Sequence, residues 1–203
     1  MHWSLAATAP DLSTHVYWYL GRSSGFVAYW LLFASVAVGL AVSSRIFDGL
    51  LGRPWVLELH KFLSVFVLVV MLFHGLVMLP DPYAKFTPAD LLIPLRSRYK
   101  AAPMAIGIVT LYSSVFVTLS FYAKGLIGQS GWRMLHYATF GLFVAAMAHG
   151  MWIGTDTRQP LVQLSYLASG AAVLFLTFFR ILAARSAARP RRVEAAPSRA
   201  NAA

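Results

Sequence analysis

Cysteine is absent from the 203 residues. Disulfides, thiolate metal sites, iron–sulfur clusters, cysteine catalysis and any cofactor tethered through a thioether are therefore excluded. Charge is scarce as well, at 12% of residues, and acidic residues are the scarcer sign, 7 against 17 basic. No paired carboxylates stand at helical spacing within the apolar stretches, and no Ser/His/Asp set converges, so hydrolytic chemistry has no machinery. A GxGxxG-type dinucleotide loop is also missing. The formal charge of +10 sits between and after the apolar runs. That is where cations meet lipid headgroups, and the pattern excludes a nucleic-acid surface.

What the chain has in quantity is apolar length: 59% of its residues are hydrophobic. About 20 apolar residues cross the ~30 Å hydrocarbon layer as a helix, and helices are required because lipid leaves backbone polar groups unsatisfied. Five stretches reach that length, and they predict an all-α membrane bundle with spans at 25–43, 56–79, 103–123, 134–153 and 161–182. Residues 1–24 read as an interfacial segment, with Trp3, Tyr17, Trp18 and Tyr19 as an aromatic anchor and no signal-peptide pattern. Residues 183–203 read as a disordered basic tail. With the C-terminus cytoplasmic, eleven Lys and Arg fall inside and six outside, which predicts an outside N-terminus, although loop 80–102 places four cations outside.

Two apolar segments each carry a histidine pair. His60 and His74 are 14 residues apart, and His136 and His149 are 13 apart; each pair opens with Leu-His and closes with His-Gly. Imidazole at membrane depth needs a partner, so such residues are functional candidates. With alternating spans the second and fourth run parallel, and the members of each pair lie ~20 Å apart along their helices. Matched offsets of four nitrogen ligands on two helices suit two stacked haems, held non-covalently by one histidine from either helix. The same ~20 Å separation prevents one helix's pair from converging on a single zinc ion. Fourteen residues return to nearly the same helix face, but thirteen leave His149 roughly 140° from His136 on an ideal helix. Span four must therefore overwind, bend, or hold His136 in an irregular turn, with Gly141 and Gly150 available for adjustment. Gly75 and Gly150, which follow the outer histidines, have two readings: close approach of a flat macrocycle, or close helix packing. His2 and His15 lie in the polar N-terminal segment and read as structural.

Residues 20–182 resemble the ferric reductase-like transmembrane family: ferric-chelate reductases, NADPH oxidases and the haem subunit of bacterial sulfoxide reductase systems. The matching motifs are GRSSG, LHKFLS…FHG and WRMLHYATF…AHG. The resemblance implies two b-type haems, with His60 and His136 as axial ligands of the inner one and His74 and His149 of the outer. It also implies electron flow from the cytoplasmic side outward. Family cores usually have six spans, so this chain lacks the first; it also lacks the flavin and nicotinamide domain that follows the last span in the reductases. Flavin would then act only through a partner.

Arg22 is the candidate for the outer haem propionate, since guanidinium grips a carboxylate in bidentate fashion. Arg53, Lys61 and Arg133 are the inner counterparts. Phe66, Phe73, Phe140 and Phe143 lie between the ligand depths and read as packing residues. Ser64, Ser113, Ser114 and Ser120 are expected to bond their own helices. Loop 80–102, with its amphipathic ADLLIPL, is either a cap over the outer haem or a docking surface for a periplasmic or extracellular partner. The functional expectation is a dihaem membrane cytochrome of the bacterial plasma membrane, the membrane subunit of a reductase system. A flavoprotein or quinol would be its donor and an outer protein or small oxidant its acceptor. The competing reading is a non-redox membrane scaffold with structural histidines.

Overall fold

The computed structural model describes residues 12–44, 46, 52–82 and 84–187, with side chains from residue 15 onward. Its elements are α1 (Leu12–Ser44), α2 (Arg53–Val77), α3 (Pro88–Leu92), α4 (Ala101–Ser120), α5 (Lys124–His136), α6 (Ala138–Ile153), a 3₁₀ turn (Thr155–Arg158) and α7 (Pro160–Ala187). No strand occurs among the described residues.

Four of these helices are long and apolar enough to cross a membrane: His15–Ser44 within α1, all of α2 and α4, and Pro160–Ser186 within α7. Four rather than five reach that length because the stretch 134–153 is not one helix. It breaks at Tyr137, leaving α6 with 16 residues, about 24 Å against a ~30 Å hydrocarbon layer. At the break, Tyr137 N–H is shared between Arg133 O at 3.1 Å and Met134 O at 3.2 Å, and Phe140 N–H donates to Tyr137 O at 3.2 Å, the last two contacts spanning three residues. Such turns wind more tightly than an α-helix, which is the direction the 13-residue histidine spacing demands.

Two boundaries also differ from expectation. Residues 12–24 form the first turns of α1, which runs unbroken for 33 residues. At the other end, residues 183–187 continue α7. Trp3, His2 and positions 188–203 lie outside the described residues.

α1 is the organising helix. It packs along α2, α6 and α7, while α4 packs on α6 and α2. Its buried stripe of Tyr29, Leu32, Val36 and Leu40 recurs at three- and four-residue steps, the spacing of one helix face. Val67 of α2, Phe143 of α6, and Tyr166 and Val173 of α7 complete the core. Tyr29 stacks on Phe143 with ring centroids 5.7 Å apart. Because Ser169 Oγ donates to Tyr166 O at 2.9 Å, the Tyr29 hydroxyl donates to Ser169 Oγ. Outside the core, most large apolar side chains of α2 and α7 face outward, as lipid-facing surfaces do.

Loop 80–102 carries the short α3, started by a reciprocal cap in which Asp90 N–H donates to Thr87 Oγ1 and Thr87 N–H to Asp90. Tyr112 of α4 ties it down by donating to Leu92 O at 2.7 Å, and Lys100 Nζ donates to Trp152 O at 2.9 Å.

Tyr29→Phe removes the one hydroxyl that links α1 to Ser169 of α7. Interhelical hydrogen bonds in membrane proteins contribute about 0.5–2 kcal/mol, so the variant is expected to unfold at a lower temperature in detergent while keeping its helix content. An unchanged midpoint would show that α1 and α7 hold together by packing alone.

Candidate functional site: two histidine pairs braced by glycines

His60 and His74 lie on one face of α2, with the buried Val67 between them at seven-residue steps. His136 is the last residue of α5, and His149 lies near the C-terminal end of α6. The four rings meet as two pairs. His60 and His136 have ring centroids 6.0 Å apart with planes at 83°; His74 and His149 are 6.4 Å apart at 80°. A metal bound to one nitrogen of each imidazole, at about 2 Å, sets the centroids about 6 Å apart. α2 and α6 do not pack backbone against backbone; α2 rests on α1 and α4, and α6 on α4 and α1. The paired histidine rings thus meet where the two helices themselves do not pack closely.

Three of the four rings are fixed in the same way. His60 Nδ1 donates to Ser35 O at 2.9 Å, His74 Nδ1 to Gly21 O at 2.8 Å, and His149 Nδ1 to Pro103 O at 2.7 Å. These acceptors are helix carbonyls, already bonded to the N–H four residues on; each oxygen has a second lone pair to offer. In each case the residue four positions later is glycine: Gly39, Gly25 and Gly107. A Cβ there would stand 3.0 Å from His60 Cε1, 2.8 Å from His74 Cε1 and 2.5 Å from His149 Cε1. Glycine is therefore what lets the imidazole lie flat on the neighbouring helix and reach the carbonyl. With Nδ1 holding the proton, Nε2 is the lone-pair nitrogen, and a backbone carbonyl partner of this kind orients metal-ligating histidines.

His136 lacks such a bond. The α4–α6 register that sets Pro103 and Gly107 against His149 puts Phe116 and Ser120 at the level of His136, 13 residues along. There α4 ends, and Ser120 carries a side chain that donates to Val117 O at 2.6 Å. His136 stacks instead on Trp132, one turn back in α5, at 5.0 Å and 26°.

The accessory residues divide. Arg22 forms an ion pair with Asp156 of the 3₁₀ turn and lies over the Trp18 ring at 4.0 Å, so its guanidinium already has an anionic partner. Lys61 pairs with Glu58 at 2.7 Å; Arg53 and Arg133 are exposed. Arg180 of α7, in the segment read from sequence as span five and tail, instead reaches Tyr137 Oη at 3.3 Å, beside His136. Phe143 belongs to the core, Phe140 packs against it, and Phe66 and Phe73 face outward. Ser64 and Ser120 bond their own helices, Ser64 to His60 O at 2.8 Å; Ser114 Oγ is buried with no partner among the described residues. A Cβ at Gly150 would meet the Tyr166 hydroxyl at 2.5 Å, which makes it a packing glycine, whereas Gly75 and Gly141 have nothing within 4 Å. No group of three or more His, Asp or Glu that could hold a metal ion occurs among the described residues; the four histidines of α2, α5 and α6 meet as two pairs.

Sequence reasoning missed Gly25, Gly39 and Gly107. A signal existed: Gly25 and Gly39 are 14 residues apart, the spacing of His60 and His74, as antiparallel helices in register require.

Gly107→Ala, Gly39→Ala and Gly25→Ala should each lower stability by about 1–3 kcal/mol through overpacking, in the order of how near the new Cβ comes. Gly141→Ala, in open space, should be neutral or stabilise by up to about 1 kcal/mol through helix propensity. Unfolding midpoints in one detergent check the ranking; equal effects at all four positions would sink the bracing role.

Comparison with protein-family models, curated proteins and solved structures returned no match.

Proposed function

We propose that the chain is a dihaem b-type membrane cytochrome, a single-electron carrier across a bacterial-type plasma membrane. The observation that carries this is the meeting of four intramembrane imidazoles in two pairs at 6.0 and 6.4 Å, three of them with Nδ1 committed to a carbonyl. A bare divalent ion would need more protein ligands than two; a haem brings its own four nitrogens and asks only for axial donors. When bound between paired imidazoles it supplies a one-electron ferric/ferrous couple.

The rest is the work of the polypeptide. His60 and His136 would hold the inner haem, and His74 and His149 the outer one, on the reading that the N-terminus is outside and α6 crosses together with the last turn of α5. The carbonyl partners raise imidazole basicity and fix ring planes. Val67 and Phe143, each 2% exposed, keep the space between the two levels dry. Arg180 beside the first pair is the cation nearest to hand for an inner haem carboxylate. At the second pair Arg22 would have to share its guanidinium with Asp156. The donor would be a flavoprotein or quinol, and the acceptor an outer protein or small oxidant.

One observation favours a second reading, a non-redox scaffold: the same Nδ1 bonds cross between helices and would hold a bundle without any cofactor. The two readings part on colour. Protein from haem-replete cells should carry two haems per chain, and His→Ala at 60, 74, 136 or 149 should each remove one. Colourless wild type, or both haems retained in all four variants, would leave the scaffold. The near-perpendicular ring planes add a spectroscopic expectation: the ferric protein should give strongly anisotropic low-spin EPR signals, and rhombic signals at both sites would contradict the ring geometry.

A further inference from the structure

Three ligand rings share one bracing device and the fourth does not, and that asymmetry has a structural substitute. Trp132 and His136 are four residues apart on α5, so their side chains lie on the same helix face. Their rings stack 5.0 Å apart at 26°. Trp132 is itself held from two sides, edge-on by Phe121 at the end of α4, with centroids 5.8 Å apart, and by Lys124 Nζ, 5.5 Å from its ring. The indole Nε1–H is buried and has no acceptor among the described residues, although buried indoles usually find one. That unmet donor marks a side chain placed for its flat face rather than for a hydrogen bond.

α5 is otherwise weakly anchored. It contains Gly128 at φ +74°, inside a stretch that would otherwise be continuous helix, and Leu126 and Met134 are 91% and 75% exposed. His136 sits at the end of this arm, at the helix break before α6. Without Trp132 nothing on its own helix or on α4 would set the plane of its ring.

We infer that Trp132 is the positioning residue of His136, doing by stacking what a carbonyl and a glycine do for the other three histidines. This rests on the dihaem reading. It predicts that the His60–His136 site is the one whose axial ligand gives way first.

The test uses haem-loaded full-length protein and two variants, Trp132→Ala and Trp132→Phe. Phenylalanine keeps a flat ring and discards the N–H. Three readouts are taken: haem per chain, the ferric EPR spectrum, and Soret changes when carbon monoxide is added to the reduced protein. In Trp132→Ala one of the two low-spin EPR signals should shift or broaden. About one haem in two should also bind carbon monoxide, with the Nε2–iron bond to His136 replaced by an iron–carbon bond. Trp132→Phe should behave as wild type. Both EPR signals unchanged in Trp132→Ala, or Trp132→Phe as defective as Trp132→Ala, would overturn the inference while leaving two haems per chain intact. Absence of haem from wild type would instead defeat the dihaem reading itself.

Discussion

An imidazole placed among apolar helices must satisfy its N–H, and the arrangement of this bundle follows from how that is done. Burying a polar group without a partner costs several kcal/mol, and His60, His74 and His149 each meet that demand at a backbone carbonyl of the neighbouring helix, with Ser24 Oγ a longer second contact to His74 Nδ1 at 3.4 Å. Using a helix carbonyl requires the two helices to approach until the ring touches the main chain. Only glycine permits that approach, and only at the position one turn beyond the carbonyl. The constraint therefore sets the register of α1 on α2 at two levels and of α4 on α6 at one. It also sets the tautomer, leaving Nε2 as the nitrogen with a free lone pair.

This division explains where the bundle is tight and where it is not. α1 serves both as the brace for α2 and as the spine of the core, with Tyr29 and its neighbours reaching α6 and α7. α2 and α6, which bear most of the paired rings, meet through those rings and not through their backbones. Helices braced from behind by others can meet through side chains alone. Val67 and Phe143, between the two ring levels in sequence, are among the most buried residues of the bundle.

Much of this was legible in the chain. The apolar runs located every long helix, the histidine spacings named the four residues that meet, and the angular mismatch of the 13-residue pair required an irregularity that takes the form of the break at Tyr137. The bracing glycines were less visible because their partners lie on other helices. In GRSSG the eye goes to Arg22, yet Gly21 supplies the carbonyl and Gly25 the floor for His74, while Arg22 turns to Asp156. Gly75 and Gly150 drew notice for standing next to histidines in sequence, although a helix neighbour at i+1 does not share a face with residue i. The lengths of α1 and α7 were underestimated for a different reason. Arg22 and Arg185 interrupt hydropathy, but helix continuity is a backbone property and a single cation does not break it.

The irregular fourth segment is then better seen as a consequence than as a flaw. A continuous helix through residues 134–153 would keep α6 long enough to span unaided, but it would point His136 and His149 to different sides, and only one could meet α2. Breaking the chain at Tyr137 brings both rings to α2 and forfeits a full-length helix in exchange. It also moves His136 onto an arm beyond the end of α4, out of reach of the carbonyl-and-glycine brace, and so creates the need that Trp132 fills. The unequal support of the two ring pairs traces back to a single residue of spacing, 13 rather than 14.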